Sequence, residues 1–456
     1  MAKPTTVHTC AQCGATFPRW NGKCTECGAW GSISEEKTVT LPPRTKSTVG
    51  IAAATLDRLQ DVVVENAPRQ ATRIPEFDRV LGGGIVPGSL ILIGGDPGIG
   101  KSTLTMQCAG TIAKQGKKVL YISGEESPHQ LKLRADRLGV LHPEIYVCAT
   151  NSFEEAAQLV EQLRPHLLII DSIQTIATQE LESAAGTVSQ VRHCAALLMA
   201  LAKGKGIATI LIGHVTKEGS LAGPRVLEHL VDVVLTFEGD RSHTFRLLRG
   251  TKNRFGSTNE VGVFQMEATG LTSVPNPSEL LLAEKPANTP GSVATATIEG
   301  TRPLLVEVQA LVSESFFGNP VRSALGLEHA RVSMILAVLE KRFGLHIGAQ
   351  DIYTNIVGGM KITETAADLA IAVALISSFR NRPIGHGVIV CGEIGLSGEI
   401  RSVAHADQRI NEGRKLGFRR FIIPKNNAKK IAPSPEKREE EILGVASLDE
   451  VMESLF

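Results

Sequence analysis

The stretch Gly95-Asp96-Pro97-Gly98-Ile99-Gly100-Lys101-Ser102-Thr103 carries chemistry in its order as well as its residue types. Glycines at 95, 98 and 100 let backbone N–H groups curl around clustered phosphate oxygens. Lys101 adds a point charge for the outer phosphates, and Ser102 a hydroxyl for a divalent cation. The stretch follows the apolar run "LILIG" and opens a helix, so the helix N-terminus adds its positive end. ATP with Mg²⁺ is the ligand these residues describe.

Three other strand ends can complete a hydrolytic site. "HLLIID" ends in Asp171, placed to hold Mg²⁺ through water or else to cap the next helix. "YISGEES" brings Glu125 and Glu126 to another strand end. One of the two can orient and deprotonate an attacking water, Glu125 standing nearer the strand; alternatively both cap the helix that starts near Ser127. "ILIGHVTKEG" leaves its strand with His214, Thr216 and Lys217, and His214 is the candidate sensor of the terminal phosphate.

A second chemistry sits at the start of the chain. Cys10, Cys13, Cys24 and Cys27 form two Cys-x-x-Cys knuckles, each able to grip one ion from a tight turn. Together they make the tetrahedral thiolate set of structural Zn²⁺. A module of about 30 residues cannot build a core alone, so metal binding would supply its folding energy. Arg19, Trp20 and Lys23 lie between the knuckles, either as a nucleic-acid contact or as ribbon surface. Cys108, Cys148, Cys194 and Cys391 are scattered through apolar segments and read as core residues.

The elements that must position these groups are legible. Residues 1–34 form the four-Cys module and 35–68 a linker. From 69 to 275, short β-branched runs ("SLILIGG", "KVLYISG", "IYVCAT", "HLLIIDS", "IATILIGHV") alternate with helix-length segments such as 101–115 and 187–203. That alternation predicts a parallel α/β sheet covered on both faces. The Pro-rich segment 275–291 marks a boundary, and 286–456 reads as a second α/β unit, with helices near 324–342 and 364–380.

The 456 residues are 43% hydrophobic and 21% charged, with 48 basic against 47 acidic side chains, so bulk positive charge does not hold this chain on a polyanion. No segment approaches the ~20 apolar residues of a membrane span, and the start has no apolar signal core, which predicts a soluble, cytoplasmic protein without membrane partners.

The strand order, the carboxylate after the second strand and "KNRFG" (252–256) resemble the bacterial RadA (Sms) recombination ATPases, whose core is of the RecA type. The resemblance spans nearly the whole chain and implies an α/β architecture: zinc ribbon, RecA-like P-loop ATPase domain, then a Lon-protease-like domain, closest over 351–456. It implies a DNA-dependent ATPase and hexameric helicase or branch-migration motor on single-stranded and branched DNA, working beside a RecA-type recombinase in recombination and repair. Lys252 and Arg254 would then be basic groups supplied to a neighbouring subunit's phosphates; read from sequence alone they are an exposed basic turn.

The tail departs from the Lon pattern where a Ser–Lys dyad belongs. "MKITETAADLAIAVALIS" puts Ala366 at the serine position, and "GEIRSVAHADQR" puts Asp407 at the lysine position. Residues 361–368 contain no serine and 362–414 no lysine, leaving Thr363 and Thr365 without an amine nearby in sequence. Proteolysis is therefore not expected, and the tail reads as a ring-building scaffold, with Arg302, Arg322, Arg331, Lys341, Arg342 and Lys361 as candidates for a DNA-facing side or as solvated helix faces. Two other functions remain distinct from the motor: an ATP-dependent protease, and an ATP-switched DNA-binding module without motor activity.

Overall fold

The computed structural model describes residues 5–10, 16–26, 28–31, 33–38, 68–213, 225–239, 245–315, 319–385, 387–431 and 440–456. The chain divides into two compact units, Val274–Phe456 making up nearly all of the second.

Within the first unit, β1 (Thr5–Cys10), β2 (Thr16–Phe17) and β3 (Ile33–Thr38) form a small antiparallel sheet with β1 central. Its core is Cys10, Cys24 and Ile33, with Phe17 packed against them.

The catalytic-type chemistry hangs on a nine-stranded sheet. Its elements are α1 (Pro75–Leu81), β4 (Leu90–Gly94), α2 (Lys101–Ala113), β5 (Val119–Ser123), α3 (Pro128–Arg137), β6 (Ile145–Ala149), α4 (Phe153–Leu163), β7 (Leu167–Asp171), α5 (Val188–Lys205), β8 (Ala208–Ile212), α6 (Arg225–Leu230), β9 (Val233–Glu238), β10 (Phe245–Asn253), β11 (Val261–Glu267) and β12 (Gly270–Ser273). The order is β12-β11-β10-β9-β4-β8-β7-β5-β6, and the six strands from β9 to β6 are parallel.

Alternation along the buried strands builds two cores. Ile91, Ile93, Tyr121 and Ile169 face α2 through Leu104, Ala109 and Ile112. Leu90, Leu92, Ile122 and Ile170 face α4 and α5 through Val160, Val191 and Leu198. Both faces are thus covered, as parallel sheets require. The consequence for function is directional: the carboxyl ends of β4, β5, β7 and β8 come out side by side on one rim.

The second unit begins earlier than the prolines suggest. Within "PNPSELLLAEKPANTPG" the structure forms α7 (Pro277–Leu282), because Asn276 accepts from Glu279 N at 3.3 Å and Pro277 fits the first helical turn. There follow β13 (Ser292–Glu299), β14 (Arg302–Glu314), β15 (Arg322–Leu325), α8 (His329–Phe343), β16 (Gln350–Ile356), α9 (Asp368–Phe379), β17 (Val388–Val390), β18 (Glu393–Ile394), β19 (Ile400–Arg401), α10 (Ala406–Lys415), β20 (Arg420–Pro424), α11 (Lys425–Ala428), β21 (Glu441–Val445) and α12 (Leu448–Leu455). Seven of these strands make a mixed sheet, β15-β16-β14-β13-β17-β20-β21. Residues 324–325, expected in a helix, belong to edge strand β15 instead.

A buried ion pair pins this unit. Arg409 is 2% exposed. Its two terminal nitrogens donate to the Glu364 carboxylate at 2.8 and 2.6 Å, and its Nε donates to Ala404 O at 3.0 Å. Glu364→Ala leaves that guanidinium without its carboxylate and is expected to cost about 3 kcal/mol in urea unfolding. Glu399→Ala, which breaks the exposed pair with Arg401, serves as control and is expected to change stability little. Equal effects of the two substitutions would contradict this reading.

Candidate functional site

The loop after β4 adopts the backbone its glycines permit: φ is 146° at Gly95, 79° at Gly98 and 119° at Gly100. A Cβ on Gly95 would stand 3.0 Å from Phe237 Cβ, so the loop is also packed too tightly for a side chain there. Asp96, Pro97 and Gly98 are exposed, Ile99 is buried beneath them, and Ser102 and Thr103 are half-buried in the first turn of α2. No side chain caps that helix, so its first N–H groups stay open to a ligand. Lys101 is 4% exposed, and its ammonium donates to Gly95 O at 2.7 Å and Asp96 O at 2.9 Å. Burial lowers its pKa, while Asp171, Asp96 and Glu125 act in the opposite direction.

The carboxyl ends of β5 and β7 bring the acidic groups to the same rim. Tyr121 Oη donates to Asp171 Oδ2 at 2.6 Å, fixing the carboxylate, and Ser172 Oγ donates to Glu125 Oε1 at 2.7 Å. Sequence reasoning left Glu125 and Glu126 as alternatives to each other and to a cap. The structure separates them: Ser127 makes the capping box with Gln130, so neither glutamate caps α3. Glu126 pairs with Arg134 of α3, and burial raises its carboxyl pKa. Both carboxylates lie near enough to Asp171 to sense its charge or that of Lys101, and Glu125 is the one held by Ser172, next to Asp171 in the chain. Tyr121 and Ser172 escaped sequence reasoning; the one available signal was a phenol in the otherwise apolar strand "VLYIS", where a buried hydroxyl needs a partner. His214 lies outside the described residues.

Lys252 and Arg254 are not part of this rim. Lys252 pairs with Val234, which lies beside Leu92. Its amine donates to Glu228 O at 2.6 Å and Val231 O at 2.8 Å, around the end of α6 and ahead of β9. Burial and the neighbouring Arg254 lower its pKa. Arg254 Nη1 lies 3.5 Å from the buried Asp232, which also accepts from Leu90 N at 3.1 Å. Both cations therefore gather at the amino ends of β4 and β9, while Lys101 lies beyond the carboxyl end of β4. A five-residue strand, roughly 16 Å long, separates them.

In the ribbon, one cysteine of each knuckle, Cys10 and Cys24, is fully buried in a shared cluster. That convergence fits a thiolate metal site, with Cys10, Cys13, Cys24 and Cys27 the residues that would hold Zn²⁺; Cys13 and Cys27 lie outside the described residues.

The chain matches the family profile of an AAA domain over residues 52–220, of the subunit ChlI of Mg-chelatase over 322–427, and of a rubredoxin metal binding domain over 8–35. It is 49% identical to the DNA repair protein RadA of Bacillus subtilis, over 99% of both chains. It is 50% identical to that of Halalkalibacterium halodurans over 99% of both, and 48% identical to that of Pseudomonas aeruginosa over 100% of both. The chain belongs to the RadA family of DNA repair proteins.

In this RadA family member the tail keeps the packing of its fold where the dyad was sought. Ala366 is buried against Val403 and Ala406, and Asp407 is exposed. The nearest candidate hydroxyl, Thr365 Oγ1, donates to Glu393 at 2.9 Å. Several basic residues considered for a DNA-facing side are committed elsewhere. Arg331 clasps the fully buried Asp368 through two hydrogen bonds of 2.6 Å, and Arg322 donates to carbonyls of Gly348 and Gln350. Arg302 donates to Pro275 O at 2.6 Å, and Arg342 to Leu396 O at 3.4 Å. Lys341 and Lys361 are exposed. Among the described residues, no helix is long and apolar enough to cross a membrane.

Tyr121→Phe removes the donor that holds Asp171 while keeping the ring in the core. If Asp171 serves the metal, about tenfold more Mg²⁺ is expected for half-maximal ATP hydrolysis. An unchanged Mg²⁺ requirement would show that Tyr121 serves packing alone.

Proposed function

We propose that this chain is an ATP-hydrolysing motor acting on single-stranded and branched DNA during recombination and repair, assembled as a hexamer and working beside a RecA-type recombinase. Its membership of the RadA family, whose curated relatives are named DNA repair proteins, supports the setting. The observation that carries the hexameric reading is the placement of Lys101, Glu125 and Asp171 on one rim of the sheet, with Lys252 and Arg254 at the other.

The residues divide the work by position. Gly95 to Thr103 cradle the triphosphate through backbone N–H groups, and Lys101 exchanges its two loop carbonyls for phosphate oxygens. Ser102 and Asp171 would hold Mg²⁺, which supplies charge neutralisation on the outer phosphates. Glu125, steadied by Ser172, orients and deprotonates the attacking water. Lys252 and Arg254 lie too far along the strands to reach their own subunit's phosphates, and in a head-to-tail ring they would meet a neighbour's. There a cation stabilises charge formed in the transition state, worth roughly 10³–10⁵ in rate. His214, two residues after β8 in the sequence, is proposed to sense the terminal phosphate. The close apolar packing around Ala366 supports a tail that does not cleave peptides.

Subunit mixing tests the ring. Lys101→Ala and Lys252→Ala are each expected to lose ATP turnover by a factor of roughly 10³ or more, the second while still binding nucleotide. Co-expressed, they should regain activity, because an intact Lys101 site can face an intact Lys252 from its neighbour. No recovery in demonstrably mixed assemblies would place Lys252 outside the neighbour's site.

A further inference from the structure

The chain has two tryptophans, and both stand on the ribbon in water: Trp20 is 61% exposed and Trp30 77%. Leaving such large rings uncovered forgoes much apolar burial, which singles out the pair. The rings are also held in place. Trp20 Nε1 donates to Ile33 O at 3.1 Å. Lys23 and Trp30 face each other across a hairpin closed by Gly31 N to Gly22 O and Cys24 N to Ala29 O, both 2.8 Å. Both indoles reach toward Gly22: a Cβ there would stand 3.7 Å from Trp20 and 4.0 Å from Trp30.

The surroundings say what kind of ligand fits. Lys23 Nζ lies 5.6 Å from the Trp30 ring centroid, and Arg19, beside Trp20, is exposed. Among the described side chains between Phe17 and Ile33, Glu26 is the only carboxylate. An apolar protein helix would need aliphatic surface around the rings, but beside Pro18 and Ala29 the adjoining residues are Arg19, Asn21, Gly22, Lys23 and Gly31. Flat π-faces flanked by cations suit a strand of unpaired bases joined by phosphates.

We propose that Trp20 and Trp30 form a stacking platform for unpaired bases of a single-stranded nucleic acid, with Arg19 and Lys23 receiving the adjacent phosphates. The platform lies outside the nucleotide site and gives the ribbon a substrate-binding role beyond its metal. This rests on the reading of the chain as a DNA-directed motor and assigns part of that DNA's path.

The test uses the full-length protein, because its tryptophan emission arises from these two rings alone. Oligothymidylate is titrated in while the anisotropy of an end-labelled oligonucleotide follows binding independently. Indole emission is expected to quench in step with the anisotropy. Trp30→Ala, with zinc content unchanged, is expected to weaken binding about tenfold, equivalent to about 1.4 kcal/mol. Trp30→Phe should retain most of the affinity. Binding with unaltered indole emission would overturn the platform and leave the DNA reading standing. No binding by anisotropy would overturn both. Emission that responds to a protein partner but not to the oligonucleotide would make the surface a protein contact and overturn the proposal.

Discussion

One ammonium group organises the P-loop unit. Lys101 is held out of water by two carbonyls of its own loop, with Asp171, Asp96 and Glu125 close enough to favour its charge. A buried cation is tolerable only where such partners converge. That convergence depends on buried parallel strands ending on one rim, and on glycines letting the loop turn back over the helix N-terminus. Placing the same residues on an antiparallel meander would scatter them over both edges of the sheet.

The same directionality sets Lys252 and Arg254 apart from that rim. The carboxyl ends of β4 and β5 bring Lys101 and Glu125 together, whereas Lys252 of the antiparallel β10 and Arg254 just after it turn to the carbonyls at the end of α6 and to Asp232. On the proposed reading, a site whose cations lie at opposite ends of one sheet would become whole if subunits were arranged head to tail. On the proposed reading the tail is a fold that keeps packing where a reactive dyad would stand. Ala366 packs against Val403 and Ala406, and the ion pairs of Arg409 with Glu364 and Arg331 with Asp368 hold elements together within the unit.

Much of this was legible in the residues because periodic and spaced signals survive folding. The P-loop, the parallel strands and the cysteine knuckles are local patterns with one physical reading each. Family resemblance supplied the order of the three modules, which composition alone does not. What stayed hidden depends on contacts between distant residues. Nothing in "GEES" says that Arg134 takes Glu126 and leaves Glu125 for Ser172, because that choice is made by where α3, packed beside β6, places Arg134. Arg331 looked like one more surface cation, yet its partner Asp368 is fully buried at the start of α9. The prolines of 275–291 signal a break, yet Asn-Pro-x-Glu is also a helix start, and the helix Pro277–Leu282 forms there.

The central claim is that ATP turnover at the Lys101 rim is coupled to a DNA strand. The most direct measurement is ATP hydrolysis by the full-length protein with and without single-stranded DNA across a range of salt concentrations. The account predicts strong stimulation that fades as salt rises, since contacts to a phosphate backbone weaken as released counterions become more abundant in solution. Hydrolysis indifferent to DNA at every salt concentration would contradict it.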